Sequence, residues 1–146
     1  MMKMPAEVLK LLKKENFCYL ATSYQDYPHV CLMNFTYLEE EELIILSSRE
    51  DTTKVNHIKN NPDVAILLYN LGDSEGVPIS CTLNGTATLL SPDNDQYYRD
   101  YHYKKNLHMG KFIMGENIVV ITVRVKHATL SDVEDSVRTW TQDPPV

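Results

Sequence analysis

Glycine and cysteine are both scarce in this sequence, and each shortage removes a class of function. Only five of the 146 residues are glycine, and no Rossmann or P-loop glycine pattern occurs, so nucleotide sites of those two kinds are excluded. The three cysteines, Cys18, Cys31 and Cys81, are widely separated and lack CxxC spacing. Their odd number argues against a disulfide framework and predicts free, buried thiols in a reducing compartment, for which the cytoplasm is the default.

Basic residues are outnumbered by acidic ones, and long hydrophobic runs are missing. The 14 Lys and Arg residues against 20 Asp and Glu residues give a formal charge of −6, and nucleic acids and anionic membranes repel such a surface unless it carries a clear basic patch. No hydrophobic run approaches a membrane span, and residues 1–4 hold no apolar segment long enough for a signal peptide. Neither nucleic acid nor a membrane is therefore expected as a partner.

The sequence also lacks the residue spacings of metal sites and of nucleophilic catalysis. None of the five histidines stands at the helical i, i+4 spacing with a carboxylate that zinc sites use, and no Cys lies close to a His. No GxSxG pattern occurs, and each Cys lies inside a strand-like segment where an inert thiol is expected. We therefore expect no metal, and the catalytic residues stay unknown.

The residues that are present predict one mainly β domain spanning residues 1–146, with flanking helices (a β+α arrangement). Alternating or continuous apolar segments predict strands at residues 17–23, 29–38, 43–46, 64–69, 78–90 and 118–126. Helical patterns cover residues 5–15 and 91–106, and a short helix is predicted between an N-cap at Asp51 or Thr52 and Asn61-Pro62. Six antiparallel strands joined by short turns hide their edges most economically in a small barrel with helical plugs. Gly85, inside the fifth strand, predicts a bulge or a close backbone approach.

Residues 43–62 combine a strand, a polar turn and a short helix that ends at Asn61-Pro62. Asp51 or Thr52 is a plausible N-cap. Unpaired N–H groups and the positive end of the helix dipole meet hydroxyls and cations there, namely Ser47, Ser48, Thr52, Thr53, Arg49 and Lys54. Such a junction predicts an anion site with phosphate as its natural guest, and the alternative is a capped helix with a solvated lysine.

Aromatic residues offer a second possible binding feature. The tyrosines of residues 97–103 can stack on a flat cofactor or can pack a helix against a sheet or a partner subunit. Trp140, the only tryptophan, lies in a tail that ends in Pro144-Pro145. It is either a hydrophobic latch or a lid over a planar ligand.

A series of short motifs supports a family resemblance. In chain order they are Ala21-Thr22, Pro28-His29-Val30, residues 45–48, Thr53-Lys54 and Asn61-Pro62. In this order and spacing, the chain resembles the pyridoxamine 5′-phosphate oxidase-like family of FMN-binding split barrels, and the likeness continues more loosely to residue 126.

The resemblance implies a six-stranded antiparallel split β-barrel that forms a homodimer with FMN in clefts between the subunits. The implied phosphate ligands are Ser48, Thr53 and Lys54, with Arg49 close by. The implied walls of the flavin ring are Val30, Cys31, Leu32, Met33, Asn34 and Ser47. Ser80 and Thr82 would approach from a later strand, and Trp140 is a candidate cover.

The expected function is that of an FMN-binding flavoprotein, an oxidoreductase or electron carrier with a small-molecule substrate or electron donor. The oxidase itself has a longer, Arg- and Trp-bearing C-terminal signature, of which this chain has only Arg138 and Trp140 in a different context. Oxidation of pyridoxamine phosphate is therefore not expected. One alternative is a haem- or tetrapyrrole-binding split barrel with His57, His102, His108 or His127 as axial ligand. The other is an interaction module without a cofactor.

Overall fold

The computed structural model describes residues 4–72, 76–134 and 136–142, which form one antiparallel sheet with helices against it. The helices are α1 (Ala6–Lys14), α2 (Thr53–Asn60), α3 (Gln96–Lys105) and α4 (Gly110–Ile113). The strands are β1 (Phe17–Tyr24), β2 (Tyr27–Asn34), β3 (Thr36–Leu38), β4 (Leu43–Arg49), β5 (Asp63–Asn70), β6 (Ile79–Leu89), β7 (Ile118–Asp132) and β8 (Val137–Thr141).

The sheet runs in the order β2-β1-β5-β6-β7-β4-β3, with β8 paired to β7. It curls into a half-barrel, so the split-barrel class is confirmed. The curl brings β2 near β4, although these strands are not neighbours in the sheet. The split between β2 and β4 is where the candidate site lies.

The described residues contain eight strands where the sequence predicts six. The predicted strand over residues 29–38 is two strands, because the chain leaves the ladder at Phe35. The N–H of Phe35 donates to the carbonyl of Asn16, 3.0 Å away, and its ring is buried in the core. The additional strand, β8, comes from the tail, where Trp140 pairs with Ala128 of β7.

The connection between β6 and β7 also differs from the prediction. The helix predicted from Ser91 begins only at Gln96, because residues 91–94 form a turn. Asp95 precedes the helix, is buried, and pairs with Arg99 of the first helical turn at 2.6 Å. After α3 come a short 3₁₀ segment, Leu107–Met109, and then α4. The amphipathic pattern does not specify these short segments, because four residues bury too little to produce a period.

Gly85 marks a bulge, as predicted. The pairing of β6 with β7 changes register between Asn84 and Gly85. A Cβ at position 85 would lie 2.4 Å from the carbonyl oxygen of Arg124. The backbone of β7 therefore approaches too closely for any larger residue without a shift.

The main core lies on the inner face of the sheet under α1 and α2. Val8, Leu11 and Leu12 face inward from α1, and Val55 and Ile58 from α2. Burying each such side chain contributes about 1.5–3 kcal/mol to folding. None of the helices in the described part of the chain has the length and hydropathy of a membrane-spanning helix.

The three thiols are free, as the cysteine count predicts. Burial raises the pKa of both Cys18 and Cys81 to about 12, so these two thiols stay protonated at neutral pH. Cys31 differs from the expected full burial in being only half-buried, and desolvation raises its pKa too.

The opposite face of β1, β2 and β5 is apolar and largely uncovered in the single protomer. We call it the outer apolar face, and its members are Phe17, Tyr19, Val30, Leu32, Leu67 and Tyr69. Val30 and Leu32 are 63% and 60% exposed. The rings of Tyr19 and Tyr69 stack with their centroids 6.2 Å apart. A contiguous apolar patch of this kind is characteristic of an interaction surface.

Candidate functional site

The junction of β4 and α2 holds a compact group of polar side chains. β4 ends in small polar residues and α2 begins one residue after Thr52, so the strand end and the helix N-terminus are adjacent. The Lys54 ammonium donates to Ser48 Oγ at 3.2 Å, and Ser48 Oγ lies 3.1 Å from Thr52 Oγ1. Thr52 Oγ1 also donates to the Arg49 carbonyl at 3.0 Å. Hydroxyls and an ammonium therefore converge at a helix N-terminus, which is a favourable place for an anion.

Arg49 does not join this group directly. Its guanidinium makes a bidentate contact with Asp51, at 3.0 and 2.7 Å, on the protein surface. The Arg49 guanidinium lowers the pKa of the Asp51 carboxyl through this hydrogen bond, and Asp51 raises the pKa of Arg49 in return. The arginine is thus partly neutralised in the protein alone, and the ammonium of Lys54 is the freer cation.

This junction forms one wall of a cavity of about 280 Å³. The other walls are β2, α3, and the 3₁₀ segment together with α4. The lining residues are Leu32, Met33, Asn34, Ser47, Ser48, Arg49, Thr52, Lys54, His102, Met109, Phe112 and Ile113. The wall at the junction is therefore cationic and hydroxyl-rich. The wall formed by His102, Met109, Phe112 and Ile113, which we call the helical wall, is mainly apolar.

Two polar side chains, Ser47 and Arg99, hold the helical wall in place. Ser47 Oγ donates to the Phe112 carbonyl at 2.6 Å, which ties α4 to β4. Arg99 donates to the carbonyls of Ile113 and Ile118 at 2.6 and 2.9 Å, and it is paired with Asp95. Hydrogen bonds from side chains to backbone carbonyls fix the position of the backbone. They therefore hold α4 against the cavity although this helix has only four residues.

His102 is the buried histidine of the cavity wall. Its Nδ1 lies 2.7 Å from Thr36 Oγ1 and 3.3 Å from the amide nitrogen of Asn106. Desolvation lowers the pKa of His102 to about 4, so the ring is neutral at pH 7. A neutral imidazole can donate or accept a hydrogen bond without adding charge to the apolar wall.

Asn34 contributes an unsatisfied acceptor at the edge of the cavity. Its Nδ2 donates to the Asn16 carbonyl at 2.9 Å, but its Oδ1 is buried without a hydrogen-bond partner among the described residues. A buried acceptor without a donor costs about 1–3 kcal/mol.

The structure brings seven of the predicted site residues together at this cavity. They are Leu32, Met33, Asn34, Ser47, Ser48, Arg49 and Lys54. Thr53 is exposed and does not line the cavity, and Thr52 provides the hydroxyl instead. The difference is one helical position, because side chains at successive positions of a helix point in different directions.

The other predicted site residues lie elsewhere in the protomer. Val30 belongs to the outer apolar face, and Cys31 lies on the inner side with its thiol 3.9 Å from the Leu20 carbonyl. Ser80 and Thr82 are on β6 beside that outer face, because they pair with Tyr69 and Leu67.

Trp140 is 7% exposed, belongs to the main core and does not line the cavity. The roles of these five residues toward a cofactor stay predictions.

Sequence reasoning missed Met109, Phe112 and Ile113 of the helical wall, and treated His102 only as a possible haem ligand. Residues 104–115 give no clear helical period, so the pattern contained no signal for the wall. His57 is buried against Thr22 at 2.9 Å and does not line the cavity. Within the described ranges, no group of three His, Cys, Asp or Glu side chains is placed to hold a metal ion.

The fold and the cavity define a split-barrel protein with a lysine- and hydroxyl-lined cavity beside a strand–helix junction. A family model described as pyridoxamine 5′-phosphate oxidase matches residues 4–131. The chain therefore belongs to the pyridoxamine 5′-phosphate oxidase family.

Two curated relatives are similar to the chain over most of its length. A pyridoxamine 5′-phosphate oxidase homolog from Schizosaccharomyces pombe is 28% identical, with 93% of this chain and 90% of the relative covered. A second homolog, from Saccharomyces cerevisiae, is 26% identical over 90% of this chain and 92% of its own.

Solved structures share the fold at lower identity. A FAD-binding protein from Mesorhizobium loti superposes with a TM-score of 0.73 at 17% identity, covering 85% of this chain and 89% of its own. A heme binding protein from Mycobacterium smegmatis has a TM-score of 0.77 at 16% identity, covering 96% of this chain and 60% of its own. At these identities the likeness concerns the fold alone.

Proposed function

We propose that the chain is an FMN-binding flavoprotein that acts as an oxidoreductase or electron carrier on a small-molecule substrate or electron donor. The observation that carries this proposal is the convergence of Lys54, Ser48 and Thr52 on one wall of the cavity. An ammonium and two hydroxyls at a helix N-terminus suit the phosphate of FMN. FMN supplies the hydride or electron transfer when bound.

The remaining walls suit a planar, partly polar ring. Met33, Met109 and Ile113 offer apolar contact, and Asn34 adds a polar side chain to the lining. In this proposal, Lys54 neutralises the phosphate, β2 orients the ring, and the helical wall excludes water from its polar edge. A neutral His102 on that wall adds no charge.

We also propose that the protein works as a homodimer, in which the outer apolar face is the subunit interface. The cavity of one protomer, at 280 Å³, is just below the range of about 300–1,000 Å³ that is usual for small-molecule sites. Leu32 lines both this cavity and a groove of about 370 Å³ on the outer apolar face, so a second subunit would extend the cleft. Ser80 and Thr82 lie next to that face, where such an interface would include them.

The dimeric flavoprotein is proposed to be cytoplasmic. The thiols of Cys18, Cys31 and Cys81 are all free, which suits a reducing compartment.

Replacing Lys54 by alanine tests the phosphate site. A charge-assisted hydrogen bond contributes about 1.5–3 kcal/mol, so K54A should weaken FMN binding roughly 10- to 100-fold. The measurement is quenching of flavin fluorescence on titration with purified protein.

The matched control is Lys59→Ala, because Lys59 is exposed near the other end of the same helix. K59A should bind FMN as the wild type does. Equal FMN affinities of K54A and the wild type would contradict the proposed phosphate site. Equal losses of affinity in K54A and K59A would mean that the effect comes from net charge and not from a contact with the phosphate.

Haem binding is the second candidate, and His102 is the observation that favours it. A neutral, buried imidazole on a cavity wall is a possible axial ligand, and a heme binding protein shares the fold. Lys54 and the two hydroxyls favour FMN, because they suit a compact phosphate group. A Soret band in the purified protein, without flavin absorption, would support haem instead.

A further inference from the structure

His102 has a hydrogen-bonding capacity that the proposed phosphate site does not use. The residue is 1% exposed and lines the cavity, yet it comes from α3, which lies outside the strand–helix junction. Its contacts on one side of the ring determine which nitrogen carries the proton.

The hydrogen bonds of Thr36 and Asn106 fix the tautomer. The side-chain amide of Asn106 donates to Thr36 Oγ1 at 2.8 Å and to the carbonyl of His102 at 2.9 Å. Nδ1 lies 2.7 Å from the Thr36 hydroxyl and 3.3 Å from the Asn106 amide nitrogen, which can only donate, so both neighbours suit an Nδ1 that accepts. Since Nδ1 accepts, the proton of the neutral ring lies on Nε2.

Nε2 has no hydrogen-bond partner among the described residues, since the contacts of the ring are all made through Nδ1. It is also absent from the fully enclosed unpaired side-chain atoms, which are Asn34 Oδ1 and Thr86 Oγ1. Nε2 therefore keeps some accessible surface. His102 lines the cavity, which is the open space beside its ring.

We propose that His102 Nε2–H donates a hydrogen bond to an uncharged acceptor of the ligand in this cavity, such as a carbonyl oxygen of the flavin ring. The inference rests on the proposed FMN site and adds a specificity-determining residue to it. A neutral donor on a wall that includes Met109 and Ile113 suits a carbonyl, whereas a phosphate prefers the cation on the junction side. Lys54 and His102 thus recognise two chemically different parts of one ligand.

Two substitutions at one position separate ligand recognition from packing. Asparagine places its polar atoms near the Nδ1 position, where Thr36 lies, and lacks a group at Nε2. Glutamine places its amide near the Nε2 position and can still donate into the cavity. His102→Asn should weaken FMN binding roughly 3- to 10-fold, because one neutral hydrogen bond contributes about 0.5–1.5 kcal/mol. His102→Gln should stay closer to the wild type.

The measurements are FMN affinity by fluorescence quenching and thermal unfolding without FMN. A lower FMN affinity in H102N, together with an affinity closer to the wild type in H102Q, supports the proposal whatever the order of the two melting temperatures. Equal affinities of H102N and the wild type, or equal losses in both variants, overturn it. A wild-type protein that does not bind FMN overturns the proposed function as well, so the two failures are distinguishable.

A measurement on the wild-type protein covers the case in which neither variant folds. The ¹⁵N chemical shifts of the His102 ring report both nitrogens separately. On addition of FMN, the Nε2 resonance should move while Nδ1 keeps the shift of an acceptor bound to Thr36. An Nε2 resonance that is unchanged at saturating FMN overturns the proposal.

Discussion

At the scale of single residues, His102 links the cavity to the pH dependence of folding. Its pKa is lowered from 6.5 to about 4 by desolvation in the folded protein, whereas the unfolded chain keeps a value near 6.5. Between these two values the unfolded state binds the extra proton, so acid shifts the equilibrium toward unfolding. The stabilising contribution of the neutral ring is complete above pH 6.5 and is lost as the pH falls toward 4.

The predicted loss is measurable by urea unfolding at pH 8 and pH 5. The wild type should lose about 2 kcal/mol of unfolding free energy from this residue alone. H102N should lose correspondingly less, because asparagine does not titrate. His108→Asn, which changes an exposed histidine on the neighbouring 3₁₀ segment, should keep the wild-type pH dependence. A loss in H102N as large as in the wild type would contradict the assignment.

At the level of secondary-structure elements, the β4–α2 junction contains a carboxylate, that of Asp51, which competes with a bound anion for the guanidinium of Arg49. Asp51 holds Arg49, which lines the cavity, through a bidentate contact, although Asp51 itself is not among the lining residues. Asp51→Asn removes this negative charge and releases the guanidinium. We expect FMN to bind roughly two- to fivefold more tightly, with a gain that shrinks as salt is added, because exposed charges are screened.

The matched control for D51N is Asp63→Asn, which removes an exposed carboxylate at the start of β5. D63N should bind FMN as the wild type does at every ionic strength. Titrations at low and high salt therefore distinguish a local effect of Asp51 from one of net charge. Weaker binding in D51N would mean that Asp51 positions Arg49 for the ligand.

The sequence predicts those elements whose signals are local. Hydroxyls and a lysine behind a strand identify the β4–α2 junction, and Gly85 identifies the bulge, because both depend on neighbouring residues. The break at Phe35 depends on a hydrogen bond to Asn16, and the role of His102 depends on Thr36, 66 positions away. Tertiary contacts of this kind leave no pattern in a single sequence.

At the scale of the whole molecule, the outer apolar face predicts self-association. Leu67 lies in this face on β5 and is exposed in the protomer. Leu67→Lys should therefore leave the protomer folded while placing a charge in the proposed interface. Light scattering should give the mass of a dimer for the wild type and of a monomer for L67K.

The control for self-association is Tyr97→Lys, since Tyr97 is an exposed residue of α3 outside this face. Y97K should remain dimeric. A monomeric wild type, or an L67K variant that is still dimeric, would rule out the outer apolar face as the subunit interface.

The β4–α2 junction is proposed to hold the phosphate of a flavin nucleotide. Comparing the affinities of the wild-type protein for FMN and riboflavin tests this role, because the two ligands differ only in that phosphate. FMN should bind roughly 10- to 100-fold more tightly than riboflavin, as a charge-assisted contact of about 1.5–3 kcal/mol requires. Equal affinities for the two ligands, or no binding of either, would contradict it.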